Sequence, residues 1–76
     1  MTTTLDRAPL DTPLVLLSTD VGPDLTRRLS ALGLRRGAHL RLVRRLAAGG
    51  RIVSVGGGRI AIERSVLAAI VAEPAA

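Results

Sequence analysis

Gly22-Pro23-Asp24-Leu25-Thr26-Arg27-Arg28-Leu29-Ser30-Ala31-Leu32-Gly33-Leu34-Arg35-Arg36-Gly37 reads as a short capped helix closed by a glycine-pinned turn. Pro23 suits the first helical position, where a missing N–H leaves nothing unpaired, and Asp24 sets negative charge at the positive end of the helix dipole. Leu25, Leu29 and Leu32 fall at i, i+4 and i+7 and form one apolar stripe, while Arg27, Arg28 and Ser30 point elsewhere. Gly33 stops the helix as the residue able to turn left-handed cheaply, which folds Leu34 back onto Leu29. An ordinary amphipathic helix would carry the same stripe, so the flanking segments decide the fold.

Those segments are almost entirely β. Leu14 to Leu17 is an apolar run of strand length, and Ala38 to Arg45, Arg51 to Val55 and Ile60 to Ile62 follow the helix as further strands. Val53 and Val55 share one face, as do Ile60 and Ile62, because side chains alternate across a strand. Gly56-Gly57-Gly58 supplies the positive φ angles of a tight antiparallel hairpin. A phosphate-cradling loop is the alternative, but no helix opens after these glycines and no Gly-Lys-Ser/Thr follows. Ser65 is placed to cap a single helical turn from Val66, and Ile70 and Val71 form a last short strand. Met1 to Pro13 holds a threonine run, two prolines and few apolar residues, so its first part reads as a mobile leader with order beginning near Leu10. The expected organisation is a mobile leader over residues 1–9, one domain over 10–73 and a tail over 74–76.

Composition narrows the function. A chain of 76 residues with no Trp, Tyr, Phe or Cys must build its core from Leu, Ile, Val and Ala, without a disulfide or a zinc-thiolate staple. It is one domain, cramped for an enzyme that must also surround a substrate. Nothing resembles an export signal or a membrane span, so a cytoplasmic, soluble protein is expected. The formal charge is +5, and all 11 basic residues are arginines. A basic balance points ordinarily to nucleic acid or an anionic surface. Here the arginines are dispersed over helix, turn and strands, and the aromatic stacking platforms of single-strand and RNA binders are absent. Specific nucleic-acid binding is therefore not expected; its alternative form would use Arg41, Arg44 and Arg45.

Catalytic chemistry finds little support. His39 is the only imidazole, no acid is spaced to orient it, and none of the serines has another base. Asp20 and Asp24 bracket the helix start, where capping accounts for them. Together they offer too few oxygens for a divalent cation. No catalytic residue, no cofactor and no dedicated metal site is expected.

The order of these elements resembles the FeoA family. The resemblance rests on a strand followed by Arg27-Arg28-Leu29-Ser30-Ala31-Leu32-Gly33-Leu34-Arg35-Arg36-Gly37. Leu40-Arg41-Leu42-Val43-Arg44-Arg45, a glycine loop and Gly58-Arg59-Ile60-Ala61-Ile62 complete it. Its most specific part is Arg-Leu-x-x-Leu-Gly-Leu-x-x-Gly running into an alternating strand, and it spans about Leu10 to Ala72. Relatives commonly carry Pro where Arg36 stands. The resemblance implies an all-β fold, a small SH3-like barrel of about five strands with one inserted short α-helix. It also implies a non-enzymatic accessory role in bacterial ferrous iron uptake, exerted on the cytoplasmic region of the membrane transporter FeoB, close to the inner membrane. A related module closes some iron-dependent repressors, whose DNA-binding domain has no counterpart here. In this reading Leu25, Leu29 and Leu32 cover the mouth of the barrel, with Gly33 and Gly37 shaping the turn. The partner surface is Arg27, Arg28, Leu34, Arg35 and Arg36.

Overall fold

Leu14 and Leu16, Leu40 and Leu42, Val53 and Val55, and Ile70 and Ala72 are all buried and alternate with more exposed neighbours, so four strands turn one face to a shared core. The structure is a computed structural model, and it describes residues 1–75. Its strands are β1 (Thr3–Thr4), β2 (Leu14–Thr19), β3 (His39–Arg45), β4 (Arg51–Val55), β5 (Gly58–Ile62) and β6 (Ile70–Pro74). They form a single antiparallel sheet in the order β1-β6-β2-β3-β4-β5. Pairing slips by one residue at Leu17 in β2 and at Val43 in β3. Such bulges bend a strand and increase its twist. The sheet is rolled into a body of 30 × 28 × 24 Å, the SH3-like barrel expected from the sequence.

Helix α1 (Pro23–Ala31) enters between β2 and β3, with Pro23 in its first turn as expected. Its end is set by Gly33, at φ 97°. The Gly33 N–H donates to the Ser30 carbonyl at 3.0 Å and the Leu34 N–H to the Leu29 carbonyl at 2.8 Å. These two bonds make a Schellman closure, which satisfies carbonyls that the helix end would otherwise orphan. The β4–β5 connection is likewise as read: Val55 pairs with Gly58, and Gly56 and Gly57 have φ of 59° and 82°. Positive φ at both central residues is the type I′ pattern that matches the twist of a two-residue hairpin.

Four expectations are corrected. The segment placed in a mobile leader is built into the fold: Thr3 and Thr4 pair with Ala72 and Val71 of β6, and Leu5 and Ala8 are buried. The sheet therefore has six strands. The apolar stripe of α1 ends sooner than expected, because Leu32 is the C-cap residue and is 52% exposed. Leu34 does turn back toward Leu29 as expected, its N–H bonded to the Leu29 carbonyl, and at 1% exposed it lies in the core. The second helix, α2 (Arg64–Leu67), starts after Glu63 with no side-chain cap, so Ser65 lies inside it. Finally, β6 runs through Pro74, beyond Val71, and the Ala75 N–H donates to the Pro13 carbonyl at 3.0 Å. Of the expected tail, Ala76 lies outside the described residues.

Candidate functional site

The surface formed by the end of α1 and the turn after it carries most of the residues expected to contact a partner. Arg27, Arg28, Arg35 and Arg36 are exposed. Arg27 donates to Asp24 at 2.9 Å in an i,i+3 pair that is open to solvent on both sides. A pair so exposed contributes little to stability, but it mutes the charge of Arg27. Among the described residues this is the one ion pair, which leaves Arg28, Arg35 and Arg36 uncompensated.

Leu34 does not belong to this surface. It is buried beneath it, anchored through its amide to Leu29. Leu32 takes its place outside, four residues after Arg28, so the two share one side of the helix end. Apart from Met1, Leu32 is the one exposed large hydrophobic residue among the described residues. The patch combines an exposed leucine with three unpaired guanidinium groups, the composition of a contact surface that buries an apolar centre inside a charged rim. Beside it lies a shallow depression of about 370 Å³, lined by Gly33, Arg35, Arg36, Gly37, Ala38, His39, Val55 and Gly56. The β4–β5 hairpin tip thus adjoins the turn, and Gly33 packs near Val55. Gly37, like Gly33, has a positive φ, 86°, so both glycines shape the turn as expected. Leu25 is half-buried and Leu29 buried.

His39 opens β3 at the rim of this depression and is exposed. Among the described residues no group of three or more His, Cys, Asp or Glu side chains converges on a point that could hold a metal. One imidazole alone makes a weak, unselective ligand. Titration with ferrous iron or zinc is expected to show only weak binding. Submicromolar affinity abolished by His39→Ala would contradict this.

Arg51 was not singled out from the sequence. It is 7% exposed and points inward with Val53 and Val55. Its guanidinium donates to the carbonyls of Ala8 at 2.5 Å and Asp6 at 2.7 Å, and so ties the N-terminal segment to β4. Burial, and then the nearby Arg45, push its pKa below the ordinary value, with Asp6 acting the other way. A guanidinium titrates so far above neutrality that it stays charged.

The FeoA domain matches residues 3–74 of this sequence. The chain belongs to the FeoA family. A FeoA from Stenotrophomonas maltophilia, crystallised with zinc and described as a prokaryotic SH3 domain protein and a proposed ferrous iron transport activating factor, is 32% identical. It superposes with a TM-score of 0.75 over 93% of this chain and 89% of that one. FeoA from Chlorobium tepidum is 27% identical, with a TM-score of 0.89 over 97% of this chain and 71% of that one. A manganese-dependent transcriptional repressor shares the fold at 16% identity, with a TM-score of 0.86, over 97% of this chain but 42% of its own. No curated protein matches the chain. FeoA proteins are SH3-like domains involved in ferrous iron transport. In this FeoA chain no helix among the described residues is long and apolar enough to cross a membrane.

Proposed function

We propose that this FeoA chain is a non-enzymatic accessory module that works in the cytoplasm, binding the cytoplasmic region of a FeoB-type ferrous iron transporter and modulating it. Membership of the FeoA family supports the process. The observation that carries the contact reading is Leu32, exposed at the end of α1, with Arg28, Arg35 and Arg36 on the same helix end and turn exposed and, among the described residues, in no ion pair. Exposing a leucine to water costs free energy that a partner's apolar surface recovers on binding. The surrounding arginines favour an acidic counterpart and speed the encounter. The proposed partner surface is therefore Arg27, Arg28, Leu32, Arg35 and Arg36, with Arg27 the least important because Asp24 already compensates it.

Ferrous iron uptake in cells that lack their own FeoA but keep the transporter tests this reading. The wild-type chain is expected to restore uptake, and Leu32→Ala combined with Arg35→Glu and Arg36→Glu to lower it several-fold at equal protein level. The control Arg59→Glu, on β5, should restore uptake like wild type. Full restoration by the triple variant would reject the surface.

A further inference from the structure

Four arginines, from the N-terminal turn, the β3–β4 hairpin and α2, converge on one cleft. Arg7 lies in the turn after β1, Arg45 at the end of β3, Arg51 at the start of β4 and Arg64 at the start of α2. With Asp6, Leu46, Gly49 and Gly50 they line a concavity of about 330 Å³, at the small end of the range typical of ligand sites. We propose that this cleft, on a different surface from the α1 patch, binds a phosphate group through Arg7, Arg45 and Arg64 above a floor set by Arg51.

The electrostatics require an explanation that a solvated face does not give. Arg45 and Arg51 are direct cross-strand partners, and like charges in that relation repel. The single carboxylate in the cleft, Asp6, accepts a hydrogen bond from Thr4 Oγ1. Among the described residues none of the four arginines is in an ion pair. Four guanidinium groups against one carboxylate leave an excess of three positive charges, which suits a multiply charged anion better than a monocarboxylate.

The positions of the groups are also fixed from below. Arg51 is held by the carbonyls of Asp6 and Ala8, which seats the turn bearing Arg7 beside it. The stem of Arg64 lies against Gly49, where a Cβ would stand 2.8 Å from Arg64 Cδ, so the β3–β4 connection lets this side chain lie across the cleft. Arg7, Arg45 and Arg64 are themselves exposed and free to turn their planar forks onto phosphate oxygens, for which the bidentate guanidinium is suited.

Titration of the full chain with pyrophosphate and with inorganic phosphate at low ionic strength, followed by the arginine Nε–Hε resonances, tests the site. Saturable shifts are expected at Arg45 and Arg64. Arg45→Gln and Arg64→Gln, both at exposed positions, should each weaken binding about tenfold, the loss of one charge-assisted contact. Arg41→Gln, on β3 outside the cleft, should leave it unchanged. Sedimentation with phosphatidylglycerol vesicles, against phosphatidylcholine vesicles, separates the two sources of the group. Vesicle binding lost in Arg45→Gln, with a weak response to pyrophosphate, assigns a lipid headgroup; the reverse assigns a soluble phosphate. Absence of saturable shifts with either anion and of vesicle binding, or equal weakening by Arg41→Gln, would overturn the proposal.

Discussion

Deleting residues 2–9 is expected to leave a chain that does not fold cooperatively at room temperature. The segment contributes β1, whose residues pair with Val71 and Ala72, and two fully enclosed side chains, Leu5 and Ala8. The Leu5 amide donates to the carbonyls of Leu67 and Ile70, at 3.2 and 3.0 Å. Without the segment those carbonyls and one edge of β6 lose their partners. Arg51 also loses both carbonyls that hold its guanidinium in place beside Arg45. Emptying the Leu5 site alone costs about 2–5 kcal/mol, and orphaning buried polar groups costs about 1–3 kcal/mol each. Native domains hold only about 5–15 kcal/mol in total, and one this small, with no cysteine to form a disulfide, sits near the bottom of that range. Urea denaturation followed by circular dichroism checks this, with Leu5→Ala as the milder variant. An unchanged midpoint after deletion would show the segment to be dispensable.

Leu34→Ala is expected to cost about 2–5 kcal/mol, and Leu32→Ala less than about 0.5 kcal/mol. The two leucines flank Gly33 and differ only in the side of the turn on which they stand, at 1% and 52% exposure. The pair therefore separates burial from residue type. Leu29→Ala should resemble Leu34→Ala, because Leu29 is buried and its carbonyl accepts the Leu34 amide. Equal costs at positions 32 and 34 would mean that the helix end is wrongly placed.

The fold was legible in the sequence wherever its signals were local. Pro23, the Leu25–Leu29 spacing and Gly33 mark α1 because helix periodicity and the left-handed stop both act within one turn. Gly56-Gly57 marks the hairpin because few other residues accept positive φ twice in succession. Leu32 does not belong on the buried stripe, because the stripe's period is carried one residue past the helix. Ala31 is the last helical residue, and beyond it the 100° step per residue no longer says where a side chain points. The N-terminal segment was illegible for another reason. A strand of two threonines has no periodicity, and its order comes from β6 and Arg51, about 45 to 70 residues away in sequence. The extra residues at Leu17 and Val43 likewise follow from barrel closure.

The candidate site was only half legible. The exposed arginines of the turn were found from charge, whereas Leu32 needed the exact helix end. Arg51 did have a signal: it is two and four residues before Val53 and Val55, so strand alternation puts it on their face. A charged side chain at the start of a strand is ordinarily read as solvated. The cleft of Arg7, Arg45, Arg51 and Arg64 had none, since its members meet only when the turn after β1, the β3–β4 hairpin and α2 are assembled.

Contact through the α1 turn is tested most directly by measuring association of the purified chain with the soluble cytoplasmic region of the transporter across a salt series. Wild type should bind saturably, with affinity falling moderately as salt rises. Leu32→Ala combined with Arg35→Glu and Arg36→Glu should weaken binding at least about tenfold, by removing an apolar contact and setting like charge against an acidic partner. Reversing Arg44 and Arg45 should matter less. Undiminished binding by the triple variant would contradict the account. So would the absence of any association together with tight nucleic-acid binding that falls steeply with salt and is lost on reversing Arg44 and Arg45.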